Sequence, residues 1–198
     1  MKKLLRNIRK GKFLNFGNSL ETSREELLCK IHTLIFDDGW LREINNNFHT
    51  VDTKILRSAH PTARTLRRVK NLGVTTVISF RTPGEISYNL LEKKLCSELN
   101  IELVFFPLSS IEIADTHVYD EILDKMQSAH GKVLIHCKSG ADRTGLVAAL
   151  WLLHTSSPLE KKYIRKMLSA RYLHFGYGKK ACLKKYLEKR IKNHSIKN

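Results

Sequence analysis

A chain of 198 residues with 35 Lys and Arg against 19 Asp and Glu carries a formal charge of +16, enough length for one domain with a sizeable core and enough charge to favour acidic partners. No apolar run approaches the ~18 residues a membrane-spanning helix needs, and none of the four cysteines (29, 96, 137 and 182) stands in a CxxC pair. A membrane span, a zinc ribbon and a disulfide framework are thereby excluded, and a reducing, cytoplasmic compartment is expected.

Residues 1–22 are basic and rich in Asn and Gly and are expected to form a mobile extension, with 23–198 a single domain. No apolar stretch follows the basic N-terminus, so no signal peptide is expected. Ser23 and Glu26 have capping-box spacing and open a helix to about 36, stopped by Asp38 and Gly39. Residues 50–57 read as a strand with a hairpin around Asp52 and Thr53. Thr62 caps a short helix over 63–72 with Gly73 at its end. Residues 74–80 form a buried strand ending at Arg81, Pro83 and Gly84 mark a turn, and 85–99 is helical. A third strand, 101–106, is closed by Pro107, and Asp115 or Thr116 caps a helix to about 129. A short buried strand over 132–136 precedes a helix from Thr144. Ser157 to Glu160 combine a capping box with Pro158 at the first helical position and open a helix to about 172. The stretch 174–178 breaks it. A last amphipathic helix, 179–192, turns Leu183, Tyr186, Leu187 and Ile191 to the domain and its lysines to solvent. Alternating strands and helices predict an α/β domain with a mostly parallel central sheet flanked by helices.

The chemistry concentrates in KVLIHCKSGADRTG, residues 132–145. The order is strand, tight loop, helix, so the loop sits at a strand's carboxyl end. Small residues at Ser139, Gly140 and Ala141 let successive N–H groups point inward, an anion nest at a helix N-terminus. Such a setting lowers a cysteine pKa to about 3.5–7.5 and makes Cys137 a nucleophilic thiolate. A thiolate open to solvent is also the thiol most prone to peroxide. Arg143 offers a planar fork for two phosphoryl oxygens, and Thr144 a hydroxyl for the sulfur.

The string HCKSGADRTG, following VLI and preceding an apolar helix, resembles the signature of the cysteine-based protein tyrosine phosphatase superfamily. ILRSAHP, GVTTVISFRTPGE, FFPLSS and HFGYGKK extend the similarity, over approximately 37–190, to bacterial dual-specificity-type phosphatases. The resemblance implies a phosphatase-like fold and hydrolysis of phosphomonoesters in two steps. Cys137 attacks phosphorus, while Arg143 and the loop residues Lys138, Ser139, Gly140, Ala141 and Thr144 hold the phosphoryl oxygens. Water then releases phosphate from the cysteinyl-phosphate. No metal or cofactor is needed, because loop and guanidinium supply the positive charge. His136 is implied to orient the loop from the core.

The general acid departs from the family pattern. Many members carry an Asp on a separate loop before the cysteine, where this chain has Leu108, Ser109 and Ser110. Asp142 is the first candidate, by similarity to members whose acid lies inside the loop; Asp115 and Glu112 remain open. The expected substrate is a phosphorylated protein, with a phospholipid or phosphoinositide as the alternative. Lys138 resembles the loop lysine of phosphoinositide-directed members, whereas Ala141 stands where they carry a second. A basic face suits a membrane surface. A pseudophosphatase that binds phosphate without turnover is the non-enzymatic alternative. Nucleic acid is not an expected partner, since no aromatic stacking platform accompanies the charge.

Overall fold

The structure, a computed structural model, describes residues 19–155 and 161–197. Most of the basic extension 1–22, and the capping box at 157–160, therefore lie outside the described residues.

The described chain opens with α1 (Ser23–Phe36). Its capping box lies one residue earlier than expected: Thr22 Oγ1 accepts from the Glu25 amide at 3.2 Å, and Glu25 Oε2 accepts from the Thr22 amide at 3.0 Å. Glu26 is thereby left to pair with Lys30 and Lys94. The expected stop at Asp38 and Gly39 is a corner instead. Asp38 takes a left-handed conformation (φ 59°), and helix α2 (Gly39–Ile44) starts at once.

A hairpin follows, as the Asp52–Thr53 turn predicts, between β1 (His49–Thr50) and β2 (Ile55–Ser58). The remaining elements are α3 (Ala63–Asn71), β3 (Val74–Ser79), α4 (Ser87–Glu98), β4 (Glu102–Phe105), α5 (Thr116–Ser128), β5 (Lys132–His136) and α6 (Asp142–Thr155). The sheet order is β1-β2-β5-β3-β4; among the described residues only the β1–β2 pair is antiparallel. The expected α/β architecture with a mostly parallel sheet is the one observed.

Strand alternation divides the core in two. Leu56, Val77 and Leu134 face α3 and α4 with Leu66, Val69 and Leu95, whereas Ile55, Ile78, Val133 and Ile135 face α5 and α6 with Ile122, Met126 and Leu146. Covering both faces explains the apolar run Val133, Leu134 and Ile135 in the central strand β5. Among the described residues no helix is long and apolar enough to cross a membrane.

Two C-terminal expectations need correction. The helix expected to run to about 172 ends at Lys166 in α7 (Lys161–Lys166), and a 3-10 turn, Ala170–Tyr172, replaces its last part. Ser169 Oγ donates to the Lys166 carbonyl at 2.7 Å, and Leu173 adopts a left-handed conformation (φ 64°), so the backbone leaves the helix there. The last helix, α8 (Ala181–Lys197), starts later and runs further than expected. It still buries Leu183, Leu187 and Ile191 against α6 and α5.

Candidate active site

β5 is the central strand, and its carboxyl end delivers Cys137 into a loop that closes at Asp142, where α6 begins two residues before the expected Thr144. Three backbone carbonyls of this loop are tied outward to the scaffold. Lys138 O accepts from the His60 amide (3.1 Å), Ser139 O from Asn47 Nδ2 (3.0 Å), and Gly140 O from Arg57 Nη2 (2.7 Å). Carbonyls held outward leave amides turned inward: the Gly140 and Thr144 N–H groups face the Cys137 sulfur. Gly140 has φ +69° and lies so close to β2 that an added Cβ would collide with the Ser58 carbonyl and sit 2.6 Å from the Ala59 nitrogen. A glycine is required there by both conformation and space.

Cys137 is only 1 % exposed, so the thiol expected to be open to solvent lies at the floor of the loop. Wrapping by the loop amides is the cause. Burial works against its ionisation, but Arg143, the Thr144 hydroxyl and amide, and the Gly140 amide outweigh that and bring the thiol below its ordinary pKa. Cys29 and Cys96 lack such partners: burial raises Cys29 and pushes Cys96 up to about 12. Iodoacetate at mildly acidic pH is therefore expected to modify Cys137 ahead of Cys29 and Cys96, and bound phosphate to protect it. Peptide mapping in which either of the other two leads would remove the activated thiolate.

Arg143 is half-buried. Its Nη1 donates to the Phe80 carbonyl at 2.9 Å and, more weakly, to that of Leu108 at 3.4 Å, which fixes the guanidinium between the ends of β3 and β4. Its Nε is buried with no hydrogen-bond partner, and so is the Thr144 hydroxyl apart from the sulfur it faces. Unpaired buried donors beside a thiolate suit a ligand rich in acceptor oxygens.

The other expected site residues are placed as follows. Ser139 and Ala141 lie in the loop wall. Lys138 extends outward, with Nζ 2.6 Å from Asp38 and 3.8 Å from Asp37. Asp142, the expected acid, is only 6 % exposed and accepts from His174 Nδ1 (2.8 Å) and Lys180 Nζ (2.6 Å). Burial opposes ionisation, but these two partners hold its carboxyl below the ordinary range. Asp115 occupies the N-cap position of α5 without making the side-chain cap bond expected of it, and its carboxylate is exposed. Glu112 is exposed on the same connection.

Several residues of this site were not foreseen. Arg57, fully buried in β2, bonds Gly140 O and Met167 O and lies 4.2 Å over the Tyr172 ring, so it props the loop from below. Burial pulls its pKa down to about 10. Asn47 bridges Ser139 O and Tyr172 O. Asp37 clasps Arg81 through two 2.7 Å bonds and Arg42 through a 2.9 Å pair beside the loop. The one available signal was a charged residue inside an otherwise apolar strand, ILRS.

Comparison with known proteins places this geometry. A dual specificity protein phosphatase, TpbA, from Pseudomonas aeruginosa (strain UCBPP-PA14) is 30% identical over 107 residues, 53% of this chain and 45% of that protein. The chain thus spans about half the length of the curated relatives it matches. The crystal structure of P. aeruginosa TpbA is similar with a TM-score of 0.60 at 23% identity, covering 72% of this chain and 84% of that one. A cysteine-to-serine form of TpbA in complex with pTyr is similar with a TM-score of 0.54 at 24% identity, covering 65% of this chain and 75% of that one. Residues 41–166 match the family described as "Tyrosine phosphatase family". That span contains β2, β5, the loop and the start of α6, and with them Cys137, Arg143 and the buttress Arg57; by that match this chain belongs to the tyrosine phosphatase family.

Proposed function

We propose that this chain hydrolyses phosphomonoesters of proteins, phosphotyrosine first, through a cysteinyl-phosphate on Cys137. The observation that carries this reading is the inward set of donors around the thiolate: two loop amides, the Thr144 hydroxyl and the unpaired Nε of Arg143. These groups match the equatorial oxygens of a phosphoryl group, whose charge spreads over them during in-line transfer. Lys138, Ser139, Gly140 and Ala141 contribute backbone to the same cradle. Thr144 then assists sulfur as leaving group when water attacks.

Asp142 enters this scheme ionised, so we assign it a positioning role. It ties the first turn of α6 to His174 and Lys180 and so sets where Arg143 begins. The proton for the leaving oxygen comes from Asp115, which is free of helix-capping duty, rather than from Glu112. Phosphoprotein is favoured over phosphoinositide because Lys138, the loop lysine that reads extra phosphates in lipid-directed relatives, is already paired with Asp38. The pTyr bound by the TpbA variant supports the same class. Four free thiols support a reducing, cytoplasmic setting, and the net charge of +16 supports contact with anionic membrane surfaces there.

Turnover measured side by side on phosphotyrosine peptide, phosphoserine peptide, phosphoinositide and phosphatidylglycerophosphate tests this. Phosphotyrosine is expected to be fastest. A lipid ranked first would move the substrate class, and phosphate binding without turnover of any of the four would make the chain a pseudophosphatase.

A further inference from the structure

Beneath the loop, three side chains from three elements converge: His60 after β2, Glu92 on α4, and His136 at the end of β5. They are 3 %, 2 % and 0 % exposed. His136 Nε2 lies 2.8 Å from Glu92 Oε1, and His60 Nδ1 lies 3.7 Å from Glu92 Oε2. One ligating atom from each residue lies within 4.8 Å of the other two. Yet none of these four atoms has a hydrogen-bond partner: the His60 contact is too long at 3.7 Å, and the 2.8 Å His136 contact is poorly aligned. Buried polar atoms are rarely left so.

His136 Nδ1 stands 3.3 Å from the Cys137 carbonyl, which can only accept, so Nδ1 carries a proton. Nε2 is left facing a carboxylate oxygen, and a cation between the two, a second ring proton or a metal ion, satisfies both. A backbone carbonyl that fixes the far nitrogen of an imidazole is the usual outer support of a metal-bound histidine.

We propose that His60, Glu92 and His136 bind one divalent transition-metal ion, zinc by ligand type, beneath the catalytic loop. Two imidazoles and a carboxylate with a fourth position for water form a familiar zinc set, whose donors stand about 3.3 Å apart around a tetrahedral ion. The two imidazole nitrogens lie 2.8 and 3.7 Å from different oxygens of the one carboxylate, and one ligating atom from each residue falls within 4.8 Å of the others, so small side-chain adjustments seat one ion among them. A cavity of about 390 Å³ between α1, α3 and α4 has His60 and Glu92 in its lining. Arg81 and Arg42 stand nearby, but both are held by Asp37, which offsets their charge. The ion touches no substrate and takes no part in phosphoryl transfer. It ties β5, the β2–α3 connection and α4 together under Cys137.

The test uses the full chain, stripped by chelator, dialysed, and titrated with cobalt(II) and zinc without substrate. One equivalent of cobalt is expected, with tetrahedral d–d bands and no thiolate charge-transfer band, and zinc is expected to displace it and raise Tm. Glu92→Gln is expected to weaken cobalt binding about 100-fold or more, while Cys137→Ser leaves it unchanged. Absence of saturable binding, a thiolate charge-transfer band, or loss of binding in Cys137→Ser would overturn the proposal. Should Glu92→Gln unfold by circular dichroism, the stoichiometry and spectrum of the unmodified chain decide alone. A chain that takes up cobalt yet hydrolyses no phosphate ester would refute the proposed activity and leave this site standing.

Discussion

Replacing Cys137 by serine is expected to lower phosphotyrosine turnover by about 10⁴-fold or more, the scale seen when an enzyme loses its nucleophile. The hydroxyl has almost the volume of the thiol but does not ionise near neutral pH, so the attacking anion disappears. The loop should survive the change, because its carbonyls are anchored from outside by His60, Asn47 and Arg57 rather than by the sulfur. Phosphate or vanadate binding, followed by calorimetry, should therefore remain within a few-fold of the unmodified chain. Retained turnover would remove the cysteinyl-phosphate mechanism. Lost turnover with lost anion binding would show a collapsed loop, and the nucleophile would then have to be tested by trapping the phosphocysteine in the unmodified chain.

Separating the two aspartates gives the second large effect. Asp115→Asn is expected to slow hydrolysis of alkyl phosphates by about 100-fold or more, the usual scale for a lost general acid. It should slow nitrophenyl phosphate far less, since nitrophenolate leaves with little proton help. Helix α5 should be unharmed, because Asp115 makes no side-chain cap bond. Asp142→Asn is expected to slow good and poor leaving groups alike, as loosening the ties to His174 and Lys180 disturbs Arg143 and not the proton. The reverse pattern, with leaving-group dependence confined to Asp142→Asn, would return the acid to the loop. Leaving-group dependence in neither variant would mean that the substrate supplies its own proton.

Much of the fold was legible because its signals are local. The runs VTTVIS and KVLIH become β3 and β5, and Thr62 caps α3 where expected. The catalytic loop was legible for the same reason: strand, cysteine, small residues and arginine are contiguous. What stayed hidden depends on partners far along the chain. Glu92 sits on a helix face with Asn89, Leu95 and Cys96, and only the fold reveals that this face lies under His136. The α1 cap was off by one because Thr22–Glu25 and Ser23–Glu26 both fit the box spacing, and local pattern cannot choose between them. Asp142 was the first candidate acid by similarity to members whose acid lies inside the loop. Its two partners, His174 and Lys180, come from the stretch before α8, well beyond the reach of motif spacing.

The outward anchoring of the loop also dictates when the site can exist during folding. Asn47 reaches Ser139 across 92 residues, and Arg57 reaches Gly140 across 83. Such long closures form late, since their entropy cost precedes their reward. β5 and α6 are able to pair and collapse as neighbours, but the amides around Cys137 keep their inward set only once β2 has zipped alongside β5. Nascent chains and partly unfolded states therefore carry the whole signature with an ordinary thiol, without a cradle for phosphate esters and slower toward peroxide. Reactivity of Cys137 is in this sense a late property of the native state, and its appearance in a refolding experiment would time the docking of β2.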